Sequence, residues 1–309
     1  MNEKSAVVVG SGLMGRDIAA IFLAAGWATQ VIERNASRWA DVRRSIAAAT
    51  AQIGRFDDGL LTMRGSIPEV EWAGVRVALE SVREDLGVKR TVFAELDAHA
   101  PADAVLGSNS SSLRITDISA GCVGSARMAN THFFQPAHLV PLVEIAKGES
   151  TSDSTVDTLH AIFASLGRAP VRINRDVPGF LANRIQHALM REAFAVIDSG
   201  LATAEDVDIA VKFGFGFRYV AAGPMLLKEF AGFDTQHAAA TAIYPSLSNA
   251  TSPGTTLSGL VAEGRFGMKV QKGFRDWTPE SIERERIRYE ATLMKAAALL
   301  ESPDAGTGS

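Results

Sequence analysis

Short apolar runs alternate with amphipathic stretches along the first part of the chain. Residues 6–9 (AVVV) form an apolar run that predicts a buried parallel strand. Residues 14–25 follow with apolar positions at helical spacing, and Gly26 is placed to end that helix. Residues 29–33 (TQVIE) predict the second strand. The chain therefore opens with a β–α–β unit within about thirty residues.

The same alternation continues as far as residue 173. A second helix is predicted over Trp39–Ile53, and residues 54–75 show no regular pattern. Ser152 or Asp153 can cap a later helix that ends at Gly167. Further strands are predicted at residues 76–79, 104–107, 128–134, 142–145 and 170–173.

After residue 180 the pattern becomes helical only. Residues 181–199 carry apolar positions at helical spacing, and Thr203 with Asp206 has the spacing of a capping box. We therefore place a domain boundary within residues 176–179. The sequence predicts an α/β domain over residues 1–177, a mostly α-helical domain over residues 178–300 and a flexible tail over residues 301–309.

Composition narrows the class of protein. The 309 residues carry a net charge of -4 and no extended basic run, so nucleic acid is not an expected partner. Cys122 is the only cysteine, and the six histidines lack metal-binding spacing, so neither a disulfide nor a metal site is expected. The N-terminal apolar run is too short for a signal peptide, and no run has the length of a membrane span. We therefore expect a cytoplasmic protein without a membrane partner.

The stretch GSGLMG, residues 10–15, matches the G-x-G-x-x-G pattern of dinucleotide-binding folds. The first glycine permits a tight turn, the second lets backbone approach a pyrophosphate, and the third lets helix and strand pack closely. A plain tight turn, or a flavin or adenosylmethionine site, would also fit the bare motif. The expected cofactor contacts are Gly10, Gly12, Leu13, Met14 and Gly15.

Glu33 ends the predicted second strand, eighteen residues after Gly15. Its carboxylate can accept hydrogen bonds from both ribose hydroxyls and would repel a 2′-phosphate, which favours NAD over NADP. Arg34 beside it weakens that discrimination a little. The first domain is therefore predicted to be a Rossmann-like NAD-binding domain.

His132 lies near the end of one predicted strand, and Glu144 follows twelve residues later at the end of the next apolar run. Ligands of open α/β sheets bind at the carboxyl ends of the strands, so both side chains are expected at that edge. An imidazole can take the hydroxyl proton when an alcohol is oxidised, and a carboxylate on its other nitrogen fixes its tautomer. A packed core histidine beside Phe133 and Phe134 would give the same spacing.

Four motifs occur in order along the chain: GSGLMG, GSNSSSL (residues 107–113), THFFQP followed by Glu144, and DVPGFLANR (residues 176–184). Together they resemble the 3-hydroxyacyl-CoA dehydrogenase family, from residue 5 to about residue 275. The resemblance implies a Rossmann-like NAD-binding domain followed by a helical domain that commonly forms a homodimer.

The resemblance also implies roles for single residues. His132 stands at the position of the catalytic base and Glu144 at that of its carboxylate partner. Ser111 matches the serine that hydrogen-bonds the substrate oxygen, and Asn183 matches an active-site asparagine. Further cofactor contacts are implied at Ser81, Glu84, Lys89 and Asn109.

Several of these residues also have ordinary structural explanations. Ser111 could cap a helix, and Asn183 could be a polar residue in a first helical turn. Glu84 and Lys89 could form a solvated surface pair.

Two departures from the family pattern concern the substrate. Gln135 replaces the asparagine of the usual HFFNP, which moves the amide by about an ångström and makes Gln135 a candidate substrate contact. Residues 214–224 (GFGFRYVAAGP) look closer to relatives that oxidise free small acids, such as L-gulonate and carnitine dehydrogenases, than to acyl-CoA enzymes. Arg218 in this stretch could clamp a substrate carboxylate, or it could be a solvated loop arginine.

Residues 35–68 contain no lysine, whereas the acyl-CoA enzymes tend to be lysine-rich there and use this region to hold CoA. The sequence therefore predicts a small, carboxylate-bearing hydroxy or hydrated aldehyde substrate without CoA. Overall resemblance favours a member of the family from vitamin B6 breakdown that acts on an aromatic aldehyde acid. A short-chain L-3-hydroxyacyl-CoA dehydrogenase and a non-catalytic NAD-binding protein stay open as alternatives.

Overall fold

The computed structural model describes residues 4–300. The chain divides into two compact units, and the division falls between Ala182 and Asn183. No helix of the described residues has the length and apolar character needed to cross a membrane.

The first unit contains one eight-stranded sheet. Its strands are β1 (Ser5–Val9), β2 (Ala28–Ile32), β3 (Leu61–Arg64), β4 (Val75–Glu80), β5 (Val105–Ser108), β6 (Met128–Phe133), β7 (Leu142–Ala146) and β8 (Ala169–Ile173). They lie in the order β3-β2-β1-β4-β5-β6-β7-β8. Every neighbouring pair is parallel except β6 and β7, which are antiparallel.

Five helices cover both faces of this sheet. They are α1 (Leu13–Ala24), α2 (Trp39–Ile53), α3 (Leu86–His99), α4 (Ile115–Ile118) and α5 (Asp153–Ser165). Successive residues of β1 belong to different cores: Ala6 and Val8 pack with α1, α2 and α5, whereas Val7 and Val9 pack with α3 and α4. Because both faces are covered, β1 is an uninterrupted apolar run rather than an alternating one.

The order of the strands reverses between β1 and β4, which makes this the switch point where such sheets bind their ligands. Gly10 directly follows β1 and Ser81 directly follows β4. A Cβ on Gly10 would lie 2.6 Å from the carbonyl oxygen of Ser81, and Gly10 has a φ of 103°. Both facts require glycine at position 10, and they place the glycine loop at the ligand-binding edge.

The structure contains one strand that the hydrophobic pattern missed. No strand is predicted within residues 54–75, but β3 lies there and pairs with β2. Its four residues LTMR alternate between buried and half-buried, but a run this short carries too little periodicity to be recognised.

The helix cap predicted at Ser152 is present in the structure. Ser152 Oγ accepts a hydrogen bond from the amide of Thr155 at the start of α5.

The second unit is helical, with no strand in its described residues 183–300. Its helices are α6 (Ala182–Asp198), which starts at the division, α7 (Ala204–Phe213), α8 (Phe215–Arg218), α9 (Pro224–Ala231), α10 (Phe233–Ile243), α11 (Thr255–Ala262) and α12 (Pro279–Leu300). Thr203 and Asp206 form the predicted capping box of α7.

The predicted fold class, an α/β Rossmann-like domain followed by a mostly α-helical domain, is confirmed. The predicted tail over residues 301–309 lies outside the described residues.

Candidate active site

The glycine loop between β1 and α1 has the close contacts that its motif requires. A Cβ on Gly15 would collide with the carbonyl oxygen of Gly10, so helix and strand could not pack as they do. A Cβ on Gly12 would meet no atom within 4 Å. Gly12 therefore faces open space of the kind that a pyrophosphate fills, with Leu13 and Met14 beside it at the start of α1.

Glu33 follows β2 and is buried, but it is surrounded by donors. Its Oε1 accepts a hydrogen bond from the amide of Asn35 at 2.9 Å. Its Oε2 lies 2.9 Å from Arg38 Nη1 and accepts a hydrogen bond from the Ser11 hydroxyl. Burial raises the pKa of Glu33, but the bonds from Ser11 and Asn35 and the charge of Arg38 outweigh it and lower the pKa below its ordinary value. The carboxylate is therefore ionised and able to accept ribose hydroxyls.

A cleft of about 740 Å³ joins the glycine loop, Glu33 and the end of β4. Its size suits a cofactor. The residues fit NAD, because the backbone at Gly12 can receive a pyrophosphate and Glu33 can receive a ribose. When NAD is bound in this cleft, it can accept a hydride from a substrate. Residues of the cleft include Ser11, Gly12, Glu33, Arg34, Arg38 and Ser81.

His132 and Glu144 face each other across the antiparallel strands β6 and β7. They are direct register partners, and His132 Nδ1 lies 2.7 Å from Glu144 Oε2. The two side chains therefore meet through an antiparallel strand pairing, which the sequence pattern did not predict. Glu144 lies in the middle of β7, and β7 is antiparallel to β6. The expected position was the carboxyl end of a parallel strand.

Glu144 is fully buried, and both of its oxygens have partners. While Oε2 contacts His132, Oε1 accepts hydrogen bonds from the amides of Leu181 at 3.0 Å and Ala182 at 2.7 Å. These donors compensate for the loss of hydration of the buried carboxylate. They also fix its position relative to the imidazole.

The partner of His132 determines which of its nitrogens can react. A carboxylate can only accept, so the neutral imidazole carries its proton on Nδ1 and its lone pair on Nε2. Nε2 has no hydrogen-bond partner among residues 4–300. The ring contacts Phe134, with centroids 4.6 Å apart, and Phe180, with centroids 5.6 Å apart. His132 therefore has the geometry of a general base with a free basic nitrogen.

Glu84 holds the serine turn that follows β5. Its Oε1 accepts hydrogen bonds from the hydroxyls of Ser110 (2.6 Å) and Ser112 (2.9 Å). It also accepts the amides of Ser111 (3.1 Å) and Ser112 (3.0 Å). The Ser111 hydroxyl is exposed and has no partner within the described part of the chain. It is therefore the hydroxyl of this turn that is free to bind a ligand.

Lys89 is buried beneath this turn. Its Nζ lies 2.7 Å from Glu80 Oε1, 3.4 Å from Glu84 Oε2 and 3.4 Å from the carbonyl oxygen of Val82. Glu80 is fully buried and also accepts a hydrogen bond from Ser108 Oγ at 2.7 Å. Lys89 thus supports Glu84 and the turn, while the cofactor contacts of Lys89 and Glu84 stay predictions.

Asn109 connects the cofactor cleft with the catalytic strand. Its Oδ1 accepts a hydrogen bond from the amide of Phe133 at 2.9 Å, next to His132. Its Nδ2 lies 3.4 Å from Ser81 Oγ at the end of β4. This position supports the prediction that Asn109 lies near the nicotinamide.

The remaining predicted site residues lie in three places. Gln135 is exposed after β6 and precedes Pro136 through a cis peptide bond. Asn183 lies in the first turn of α6, directly after Ala182. Arg218 is the exposed last residue of α8 in the second unit. Their roles toward the substrate stay predictions.

Four residues that the sequence did not single out contact predicted site residues: Ser11, Arg38, Glu80 and Phe180. Ser11 is a variable position of the glycine motif, and Arg38 reaches Glu33 only through the shape of the following loop. An acid at the end of the apolar run VRVALE is the signal that would have revealed Glu80. No pattern of apolar positions indicates that Phe180 contacts His132.

The fold and the site together define an NAD-dependent dehydrogenase. A dinucleotide cleft lies at the switch point between β1 and β4, and a buried His–Glu pair lies on β6 and β7 of the same sheet. No group of three His, Cys, Asp or Glu side chains in residues 4–300 is arranged to hold a metal ion.

Comparison with known families identifies the group of dehydrogenases. The NAD binding domain of 3-hydroxyacyl-CoA dehydrogenase matches residues 5–177, and the C-terminal domain of the same enzyme matches residues 179–277. The chain belongs to the 3-hydroxyacyl-CoA dehydrogenase family.

Individual relatives differ in their substrates. The chain is 28% identical over 305 residues to 5-formyl-3-hydroxy-2-methylpyridine 4-carboxylate 5-dehydrogenase of Mesorhizobium japonicum, covering 96% of this chain and 98% of that protein. It is 35% identical over 230 residues to L-carnitine dehydrogenase of Streptomyces griseus, covering 72% and 68%. A crystal structure of 5-formyl-3-hydroxy-2-methylpyridine 4-carboxylic acid 5-dehydrogenase, described as an NAD+ dependent dismutase, matches with a TM-score of 0.91 at 26% identity, covering 97% and 99%.

Proposed function

We propose that this chain oxidises a small carboxylate-bearing alcohol or hydrated aldehyde, with NAD as the hydride acceptor. His132 takes the hydroxyl proton at Nε2, and Glu144 stabilises the imidazolium that forms. Ser111 and Asn183 donate hydrogen bonds to the substrate oxygen, where negative charge develops. The observation that carries this proposal is the free Nε2 of His132 opposite a carboxylate that backbone amides fix.

The substrate that we propose is 5-formyl-3-hydroxy-2-methylpyridine 4-carboxylate, reacting as its aldehyde hydrate. Support comes from the likeness to the Mesorhizobium enzyme over nearly the whole chain, from Gln135, and from the lysine-free residues 35–68. The hydrate RCH(OH)₂ loses a hydroxyl proton to His132 and its C–H hydride to NAD, which leaves RCOOH. Arg218 binds the carboxylate already present on the ring.

The related structure described as a dismutase suggests a second half-reaction at the same site. Two aldehydes and one water would give one carboxylic acid and one alcohol, with no net change in NAD. With NAD present at a small fraction of the aldehyde concentration, acid and alcohol should accumulate in equal amounts. Acid alone, formed only up to the amount of NAD supplied, would exclude dismutation.

Two other activities remain candidates. A short-chain L-3-hydroxyacyl-CoA dehydrogenase is favoured by the family itself. Oxidation of a free hydroxy acid of the carnitine or L-gulonate type is favoured by the likeness to L-carnitine dehydrogenase. A non-catalytic NAD-binding protein is disfavoured, because Ser111, His132, Glu144 and Asn183 are all present.

A substrate panel tests the proposal. The pyridine aldehyde acid, L-carnitine, L-gulonate and 3-hydroxybutyryl-CoA are each supplied with NAD, and NADH absorbance is followed. We expect turnover of the aldehyde acid, with kcat about 10²- to 10⁴-fold lower in His132→Ala. Robust turnover of the CoA ester with none of the free acids would overturn the substrate proposal, and an unchanged rate in His132→Ala would overturn the role of the base.

We also propose that the chain forms a homodimer through its second unit, in a reducing, cytoplasmic setting. None of the helices α6–α12 has a buried residue in the described chain. Amphipathic helices derive most of their stability from burying an apolar face. A second copy of the same unit would cover these faces, which include Ile185, Leu189, Ile209, Phe213 and Phe230.

A further inference from the structure

The bend before α6 contains a strained aromatic residue. Phe180 has a φ of 46°, and Gln271 is the only other described residue besides glycine with a positive φ. Bulky side chains rarely adopt this conformation. Phe180 is nevertheless only 2% exposed, so its surroundings hold it there. Strain of this kind concentrates at functional sites.

The strained conformation directs one short segment at both members of the catalytic pair. The Phe180 ring lies 5.6 Å from the His132 ring, with an angle of 46° between the planes. The amides of the next two residues, Leu181 and Ala182, donate to Glu144. An extended or right-handed residue at position 180 would send the chain in another direction and separate the ring from these amides.

A single hydrogen bond does not fix the orientation of an imidazole. The bond from Nδ1 to Glu144 holds one atom, and the ring can still tilt about it. Contacts with the rings of Phe134 and Phe180 restrict this tilt. The direction of Nε2 therefore depends on these aromatic neighbours as well as on the carboxylate.

We propose that Phe180 is a positioning residue, whose left-handed backbone and ring orient His132 so that Nε2 faces the substrate hydroxyl. The inference rests on the proposed role of His132 as the base. Loss of the ring misdirects the base, which slows the chemical step and leaves NAD binding in place.

Proton NMR tests this without any substrate. An imidazole N–H bonded to a buried carboxylate gives a resolved signal far downfield, which is assigned here by its loss in His132→Gln. Phe180→Leu should broaden or abolish the signal, because a tilting ring exposes the proton to exchange with water. Phe163→Leu is the matched control, since Phe163 is also fully buried but packs on the other face of the sheet, against Phe133. An unchanged signal in Phe180→Leu would overturn the proposal.

Kinetics with the pyridine aldehyde acid give the second measurement. We expect kcat to fall by about 10- to 100-fold in Phe180→Leu, with the Kd of NAD within about twofold of the original. Phe180→Tyr, which keeps the ring, should restore kcat, and Phe180→Met replaces the leucine variant if that variant does not fold. An equal fall of kcat in Phe163→Leu would mean that general loosening of the core explains the effect. Because the NMR measurement needs no substrate, failure of the substrate proposal and failure of this one are distinguishable.

Discussion

At the scale of single residues, Glu144 decides which nitrogen of His132 is basic. Its Oε1 is taken by two backbone amides and its Oε2 by Nδ1. A glutamine at this position would keep its oxygen toward the amides and turn its NH₂ toward Nδ1. The imidazole would then carry its proton on Nε2, where no base is left.

Glu144→Gln should therefore lower kcat by about 10³- to 10⁴-fold, as the equivalent change does in serine proteases. The Kd of NADH, measured from its fluorescence, should stay the same because the cofactor cleft does not include Glu144. Glu149→Gln serves as a control, since Glu149 is exposed after the same strand. A kcat that drops less than about tenfold would argue against this tautomer argument.

We expect Glu33 to set the choice between NAD and NADP. Its carboxylate would repel a 2′-phosphate, while Arg34 and Arg38 line the same cleft and could bind one. Glu33→Ser should raise the ratio of kcat/KM for NADP to that for NAD by about tenfold or more. Adding Arg38→Ala should remove most of this gain. If NADP remains unused in Glu33→Ser, the two arginines are not placed to receive the phosphate.

At the scale of elements, the serine turn owes its shape to one acid. Glu84 fixes Ser110 and Ser112 by their hydroxyls and leaves that of Ser111 free. Ser111→Ala should therefore lower kcat/KM with little change in thermal stability. Ser112→Ala should instead lower the free energy of unfolding by about 1 kcal/mol, because it removes a bonded hydroxyl. Equal losses of stability in the two variants would contradict this division of roles.

Glu84 also makes this turn sensitive to acid. Burial raises the pKa of Glu84, but hydrogen bonds from Ser110 and Ser112 and the charge of Lys89 bring the net pKa below the ordinary value of 4.5. A lowered folded-state pKa means that the contribution to stability is complete above pH 4.5 and is lost as the pH falls through the folded-state value. Thermal unfolding from pH 6 down to about pH 3 should show a shallower loss of stability in Glu84→Gln than in the original chain. A parallel loss in both would mean that Glu84 does not contribute.

The sequence predicted most elements of the first unit, because parallel strands buried on both faces form uninterrupted apolar runs. It missed β3, a four-residue edge strand, and the antiparallel pairing of β6 with β7. Strand direction depends on which neighbours a strand meets, and no local pattern encodes that. The motifs identified His132, Glu144 and Ser111, whereas Arg38, Glu80 and Phe180 became visible only through their contacts.

At the scale of the whole molecule, the apolar helices of the second unit predict self-association. Sedimentation velocity should show a dimer at micromolar concentration, and the thermal midpoint should rise with protein concentration. Introducing Ile185→Glu and Leu189→Glu on α6 should yield monomers. Val123→Glu is the control, because Val123 is equally apolar and fully exposed in the first unit. A monomeric original chain would overturn the proposed dimer.

The pairing of β6 with β7 also bears on how such an enzyme acquires new substrates. A shift of one residue in this register would turn His132 and Glu144 to opposite faces of the sheet, so insertions within either strand abolish the base. The connection between the strands begins with Phe134, whose ring contacts His132, but its length from Gln135 onward does not enter this register. Under the proposed substrate contacts of Gln135 and Arg218, the segment from Gln135 onward and the stretch around Arg218 can change while the register of His132 and Glu144 is kept. Grafting these two segments from a relative would therefore test whether they select the substrate.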